Sequence, residues 1–248
     1  MTYCVGLLLK DGLVMICDTR TNAGVDNVAS FRKLHLIEEP GERVMALASS
    51  GNLSISQSVV SLLTEGLTDP ATGEVETLAG APSMFKAAQL VGRAVREIYR
   101  VDGVGLEQHG ARFDVALLLG GQITGRRLRL FMIYAAGNFI EATPDTPFLQ
   151  IGEHKYGKPI LDRAVKYDTD LYDALKIGLI SVDSTMRSNL AVGLPLDTLV
   201  LRREALQTEL TYRIEQGDTY FEDLRRRWSE ALRATQQAIP RPPYAKKV

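Results

Sequence analysis

The chain has 248 residues, 45% hydrophobic and 24% charged, with 21 Gly and 10 Pro, which fits a folded globular protein and excludes disordered, collagen-like and low-complexity classes. Its 29 Lys and Arg against 30 Asp and Glu give a net charge of −1, without the footprint of a protein that coats nucleic acid or an anionic membrane. Two cysteines, Cys4 and Cys17, make no disulfide framework, and no apolar run approaches the roughly 18–20 residues of a membrane span.

In chain order, residues 2–10 read as a strand closed by Asp11-Gly12, a hairpin signal, with a return strand over residues 13–19. On that return strand Val14, Ile16 and Asp18 share one face and Met15 and Cys17 the other. Strands follow at 34–37 and 44–48, then two helices carrying the stripes Ile55, Val59, Leu62, Leu63 and Phe85, Leu90, Val91, Ala94, Val95, Ile98. Strands return at 113–119, 128–134 and 139–142, with a turn expected at Gly120-Gly121. Helices are expected over about 156–165 and, capped by Asp170, over 171 to about 184. Strands at 196–201 and 209–214 precede a last helix, capped by Asp218 and running to about 235. Hairpin-linked strands with helix pairs in two blocks predict an α+β fold of αββα sandwich type, two sheets packed together with helices outside each. A single domain over 1–236 and a Pro-rich, basic tail over 237–248 are expected. The N-terminus shows no signal-peptide pattern, so the expected location is the cytoplasm.

The chemistry is concentrated near the N-terminus. Thr2 follows the initiator methionine, and a small residue there permits methionine removal. Thr2 would then carry a hydroxyl and a free α-amine on one residue. A threonine hydroxyl needs a base beside it, and an α-amine titrates near pH 7.7–8.0, so the amine can take the hydroxyl proton and later return it to the leaving group. The hairpin brings Asp18 back toward Thr2, and Lys33 precedes the third strand. Together they would form a charge pair that keeps an ammonium beside the nucleophile. Arg20 is placed to orient Asp18 through a bidentate pair.

Thr2, the run Asp18-Thr19-Arg20-Thr21-Asn22-Ala23-Gly24 and Lys33 resemble the start of a proteasome β-type subunit, an N-terminal-nucleophile (Ntn) hydrolase. The resemblance is closer to Anbu, the ancestral β-subunit family of bacterial proteasome-like proteins. It extends through Phe31-Arg32-Lys33, Ala48-Ser49-Ser50-Gly51-Asn52-Leu53, the stretch 152–160 and the stretch 181–189. The family implies the four-layer αββα fold, a main-chain oxyanion donor at Ser49, and Asp183 supporting the terminal amine with Ser184 or Ser188 as the accompanying serine. Asn22 and Gly51 are the expected substrate contacts. Where proteasomes carry a further serine after a glycine, this chain has Gly152-Glu153, which brings a carboxylate into the surroundings of the amine.

The resemblance also implies a homo-oligomer, a ring or lock-washer-like helical assembly, acting on peptide or unfolded-protein substrates bound by β-addition; it leaves a partner ATPase open. No cofactor is implied, and His35, His109 and His154 lack paired metal-ligand spacing. Arg225-Arg226-Arg227 reads as a solvated or subunit-contacting charge run. The leading function is a threonine-type peptidase. The alternatives are an Ntn-fold scaffold with little turnover, to which Glu153 and the non-glycine residue at Ser49 point, and an amidase for a small amide or an isopeptide.

Overall fold

The computed structural model describes residues 2–22 and 28–244, apart from the side chains of Asn22 and Val28. It is a mixed α/β fold whose sheets are antiparallel throughout. Strands β1 (Tyr3–Leu8) and β2 (Gly12–Asp18) form the first hairpin, followed by the short pair β3 (Arg20–Asn22) and β4 (Val28–Ser30). Next come β5 (Leu34–Glu39), β6 (Arg43–Gly51) and helix α1 (Leu53–Glu65). A small hairpin, β7 (Leu67–Thr68) and β8 (Val75–Glu76), leads to α2 (Met84–Ile98), a π-helical turn at Tyr99–Gly103 and α3 (Val104–Gln108). Then follow β9 (Val115–Ile123), β10 (Arg129–Ile133), β11 (Phe139–Glu141), β12 (Phe148–Gly152), α4 (Lys158–Ala164) and α5 (Leu171–Ser188). The chain ends with β13 (Leu196–Arg202), β14 (Thr208–Ile214) and α6 (Thr219–Ala238).

Two five-stranded sheets carry the fold, in the orders β12-β1-β2-β13-β14 and β11-β10-β9-β6-β5. Three apolar clusters follow from the two-residue period of the strands. Val5, Leu7, Val14 and Ile16 pack with Leu179, Val182 and Phe221 from α5 and α6. Met45, Leu47, Leu117 and Phe131 pack with Val59 and Val91 from α1 and α2. The third cluster draws on both sheets, with Cys4, Met15 and Cys17 from one and Ala46, Ala48, Leu118 and Leu130 from the other. Each fully buried large side chain contributes about 1.5–3 kcal/mol.

Several boundaries differ from the sequence expectation for identifiable reasons. Leu9 and Gly12 pair across the hairpin, so Lys10 and Asp11 form its turn. Gly12 is needed because a Cβ there would lie 2.0 Å from the Leu201 carbonyl oxygen. The expected turn at Gly120-Gly121 is instead the middle of β9. Glycine permits a close approach there, since a Cβ on Gly121 would meet the Val44 carbonyl oxygen at 2.2 Å. Strand β12 lies in a segment with no strand expected. The last helix runs to Ala238, past the expected 236 boundary, and residues 245–248 of the expected tail lie outside the described residues. Asp170 and Asp218 cap α5 and α6 as anticipated, accepting from Tyr172 and Asp173 and from Phe221. Among the described residues no helix is long and apolar enough to cross a membrane.

Candidate active site

Thr2 precedes β1, Asp18 ends β2, Lys33 precedes β5 and Ser49–Gly51 end β6, so the site draws on one end of both sheets. Thr2, Lys33, Ser49 and Gly51 line one cavity of about 720 Å3, together with Phe31 and Leu53. Lys33 Nζ donates to Asp18 Oδ1 at 3.0 Å and to the Arg20 carbonyl at 2.6 Å. The same Asp18 oxygen accepts the Tyr3 N–H at 3.0 Å. This fixes the carboxylate to the residue after Thr2. The Thr19 N–H and hydroxyl both donate to the Pro195 carbonyl, anchoring the end of β2.

Burial pushes the Asp18 carboxyl above its ordinary value, while the Lys33 ammonium and the Tyr3 amide pull it back only in part. Among the described residues no partner meets its second oxygen, Oδ2. A buried carboxylate oxygen without a partner carries a desolvation cost, consistent with that direction. Lys33, a residue type rarely buried without a partner, is held here by two oxygens and lines the same cavity as Thr2.

Arg20 does not form the expected pair with Asp18. Its Nη1 donates to the Leu190 carbonyl at 2.9 Å and its guanidinium lies over Gly193, where a Cβ would come within 2.9 Å of it. Lys33 occupies the carboxylate instead, and Arg20 serves that lysine through its carbonyl oxygen.

Ser49 is buried in the cavity wall, but its N–H already donates to the Lys33 carbonyl at 3.1 Å. It is therefore not a free oxyanion donor. Alternate amides of an extended strand point to opposite sides, so the Gly51 amide lies on the same edge, past the start of β5. Gly51 has φ +102, and a Cβ would sit 2.2 Å from the Asp114 carbonyl oxygen. Glycine is required there.

The carboxylate of Asp183 is fully buried, and both its oxygens are engaged by arginines: Oδ1 by Arg225 Nε at 2.6 Å and Oδ2 by Arg187 Nε at 3.3 Å. It clamps α5 to α6 and does not line the Thr2 cavity, in place of the expected contact with the terminal amine. Ser184 is half-buried and Ser188 is exposed at the end of α5, and neither borders the cavity. Within the arginine run, Arg225 is thus directed inward, while Arg226 and Arg227 pair with Asp223. Met1 and residues 23–27, with Gly24 of the quoted run, lie outside the described residues, as does the Asn22 side chain.

Glu153 is buried, and its N–H donates to the Thr2 carbonyl at 2.6 Å. Three further features went unread in the sequence. Asn189 donates to Glu153, Arg225 pairs with Asp183, and Tyr3 forms a buried network below Thr2. The Tyr3 hydroxyl meets Ser181 Oγ at 3.0 Å and accepts from Gln150 Nε2 at 2.5 Å. Burial pushes the phenol up to about 12, against the lowering effect of those two partners. Gly157 is the available signal for this network, since a Cβ there would lie 2.4 Å from the Tyr3 hydroxyl. Among the described residues no three His, Cys, Asp or Glu side chains form a metal-binding group.

No family model and no curated protein matches the chain, but solved structures do over nearly its whole length. Anbu from Yersinia bercovieri is 49% identical, with 98% of this chain and 100% of that one covered and a TM-score of 0.89. The chain belongs to the Anbu family. Anbu from Hyphomicrobium sp. strain MC1 is 50% identical over 97% of this chain and 99% of that one, with a TM-score of 0.88. A third structure is the helical assembly of the Anbu complex from Pseudomonas aeruginosa, 46% identical over 99% and 100% of the two chains, with a TM-score of 0.90. Anbu is a proteasome-like family.

Proposed function

We propose that this Anbu-family chain is an N-terminal threonine hydrolase of peptide or other amide bonds, built as a four-layer αββα Ntn sandwich in one domain with a short C-terminal tail. The fold reading is supported by the three apolar clusters, one between the sheets and one under each group of helices. The observation that carries the activity is the buried Lys33 ammonium, held by Asp18 and the Arg20 carbonyl, in the wall of the cavity that Thr2 also lines.

Removal of Met1 exposes the Thr2 amine. That amine takes the proton of the Thr2 hydroxyl, whose oxygen attacks the amide carbonyl. The Lys33 ammonium favours the developing alkoxide, and main-chain amides on the edge of β6 receive the oxyanion, Gly51 with its free direction and Ser49 only by sharing its bond to Lys33. The protonated amine then gives its proton to the leaving nitrogen, and water releases the acyl group by the same steps in reverse order. The helical assembly of the Pseudomonas aeruginosa relative supports a homo-oligomeric working form, in which confinement restricts substrates to short or unfolded chains.

A panel of short peptides with a Thr2→Ala control tests the reading. Turnover in the wild type that is absent from Thr2→Ala is expected, and equal turnover in both overturns it. The second reading, an Ntn scaffold with little turnover, is favoured by the buried Glu153 against Thr2.

A further inference from the structure

Glu153 lies beside Thr2 and Asn189 beside Glu153, both outside the Thr2, Lys33 and Asp18 set. The Glu153 main chain is tied to the Thr2 carbonyl at 2.6 Å, and its side chain is only 7% exposed. Asn189, at the C-terminal cap of α5, donates from Nδ2 to Glu153 Oε2 at 3.2 Å. The amide is not free to turn over. Its Oδ1 accepts the Ala191 N–H at 3.0 Å, and its own N–H donates to the Thr185 carbonyl at 2.8 Å. The oxygen is thereby fixed toward Ala191 and the NH2 toward the carboxylate. A carboxyl group held this way has a fixed position out of the solvent.

We propose that Asn189 is a positioning residue that fixes the carboxylate of Glu153, the residue whose N–H is bonded to the Thr2 carbonyl, so that its charge acts on the neighbouring Thr2 amine and favours the ammonium form. The inference rests on Thr2 being the mature N-terminus. A neighbouring carboxylate favours the ammonium form of an amine. Of the other charges on the Thr2 cavity, Lys33 and Arg112 act in the opposite sense and Asp114 acts with Glu153, while the Arg20 guanidinium is turned away to the Leu190 carbonyl and Gly193. Asp18 acts with Glu153, but its charge is matched by Lys33. Lys155 reaches Glu153 Oε1 at 4.0 Å from a side chain that is 75% exposed, where water screens it. Asp183, on α5, is matched by Arg187 and Arg225. Because the amine must be neutral to accept the hydroxyl proton, the Asn189–Glu153 pair moves the working range of the site to higher pH. It sets when the nucleophile is active without touching the hydroxyl.

The test is competitive acetylation of the full-length protein with trace acetic anhydride over a pH series, with the N-terminal peptide read by mass spectrometry. Glu153→Gln keeps the shape and an acceptor for Asn189 while removing the charge, and should lower the apparent pKa of the Thr2 amine by about one unit. Asn189→Ala frees the carboxylate and should shift it in the same direction by less. Thermal unfolding of each variant separates loss of structure from loss of charge. Folded Glu153→Gln and Asn189→Ala proteins that titrate with the wild type overturn the inference. An N-terminal peptide beginning at Met1 overturns the reading of Thr2 as well, and the same spectra tell the two failures apart.

Discussion

Lys33 Nζ and Asp18 Oδ1 stand 3.0 Å apart, with side chains 5% and 0% exposed. One contact thereby joins the end of β2 in one sheet to the entry of β5 in the other. Breaking a buried pair by removing one partner costs about 3–5 kcal/mol, because the other charge is left uncompensated. Asp18→Ala should therefore lower stability by that order in urea unfolding. Asp18→Asn combined with Lys33→Met removes both charges and should recover part of the loss.

Tyr3 offers an alkaline test. Its phenol is pushed up to about 12 in the folded protein, against an ordinary value of 10.0. A raised folded pKa means that the contribution to stability is full below pH 10 and is lost as pH rises through the folded value. The loss amounts to about 3 kcal/mol. Denaturant unfolding between pH 10 and 12 should show this decline in the wild type and not in Tyr3→Phe. In a spectrophotometric titration of the nine tyrosines, the lagging phase should lose one phenol in Tyr3→Phe and keep Tyr172 and Tyr212, which their carboxylate partners also hold up.

The edge of β6 depends on Gly51. With φ +102 and the Asp114 carbonyl oxygen 2.2 Å from an added Cβ, Gly51→Ala combines backbone strain with a steric clash. A loss of about 2 kcal/mol or more is expected. Gly193→Ala should be milder, because the group its Cβ would meet is the far end of the Arg20 side chain.

The Asp183 clamp gives a further expectation. Arg225→Met removes the 2.6 Å partner of a fully buried carboxylate while Arg187 remains, so a loss of about 1–3 kcal/mol in thermal or denaturant unfolding is expected. Asp183→Asn should be tolerated better than Arg225→Met, since it leaves no buried charge behind.

Much of this was legible in sequence where local pattern and tertiary role agree. Alternation separated Val14 and Ile16 from Met15 and Cys17, and the structure sets the first pair under the helices and the second between the sheets; Asp170 and Asp218 read correctly as caps. Gly120 and Gly121 misled because glycine marks both a turn and a close approach, and the approach of Val44 is a long-range fact that no window of sequence contains. Strand β12 was missed because five residues after a Pro-rich turn give too short a pattern. At the site, the order of Thr2, Asp18 and Lys33 carried the reading. The partner of a polar side chain did not follow from its type. Arg20 takes a carbonyl and not Asp18, Asp183 takes two arginines, and Asn189, which looks like any helix-ending asparagine, turns its amide onto Glu153.

The most direct measurement is intact mass spectrometry before and after treatment with a peptide epoxyketone, a reagent that closes a ring only on a residue offering both a hydroxyl and a free α-amine. An N-terminal threonine nucleophile predicts a protein lacking Met1 that gains one reagent mass, localised to Thr2 and absent from Thr2→Ala. Retained Met1, or a trimmed protein that takes up no reagent at Thr2, would contradict it.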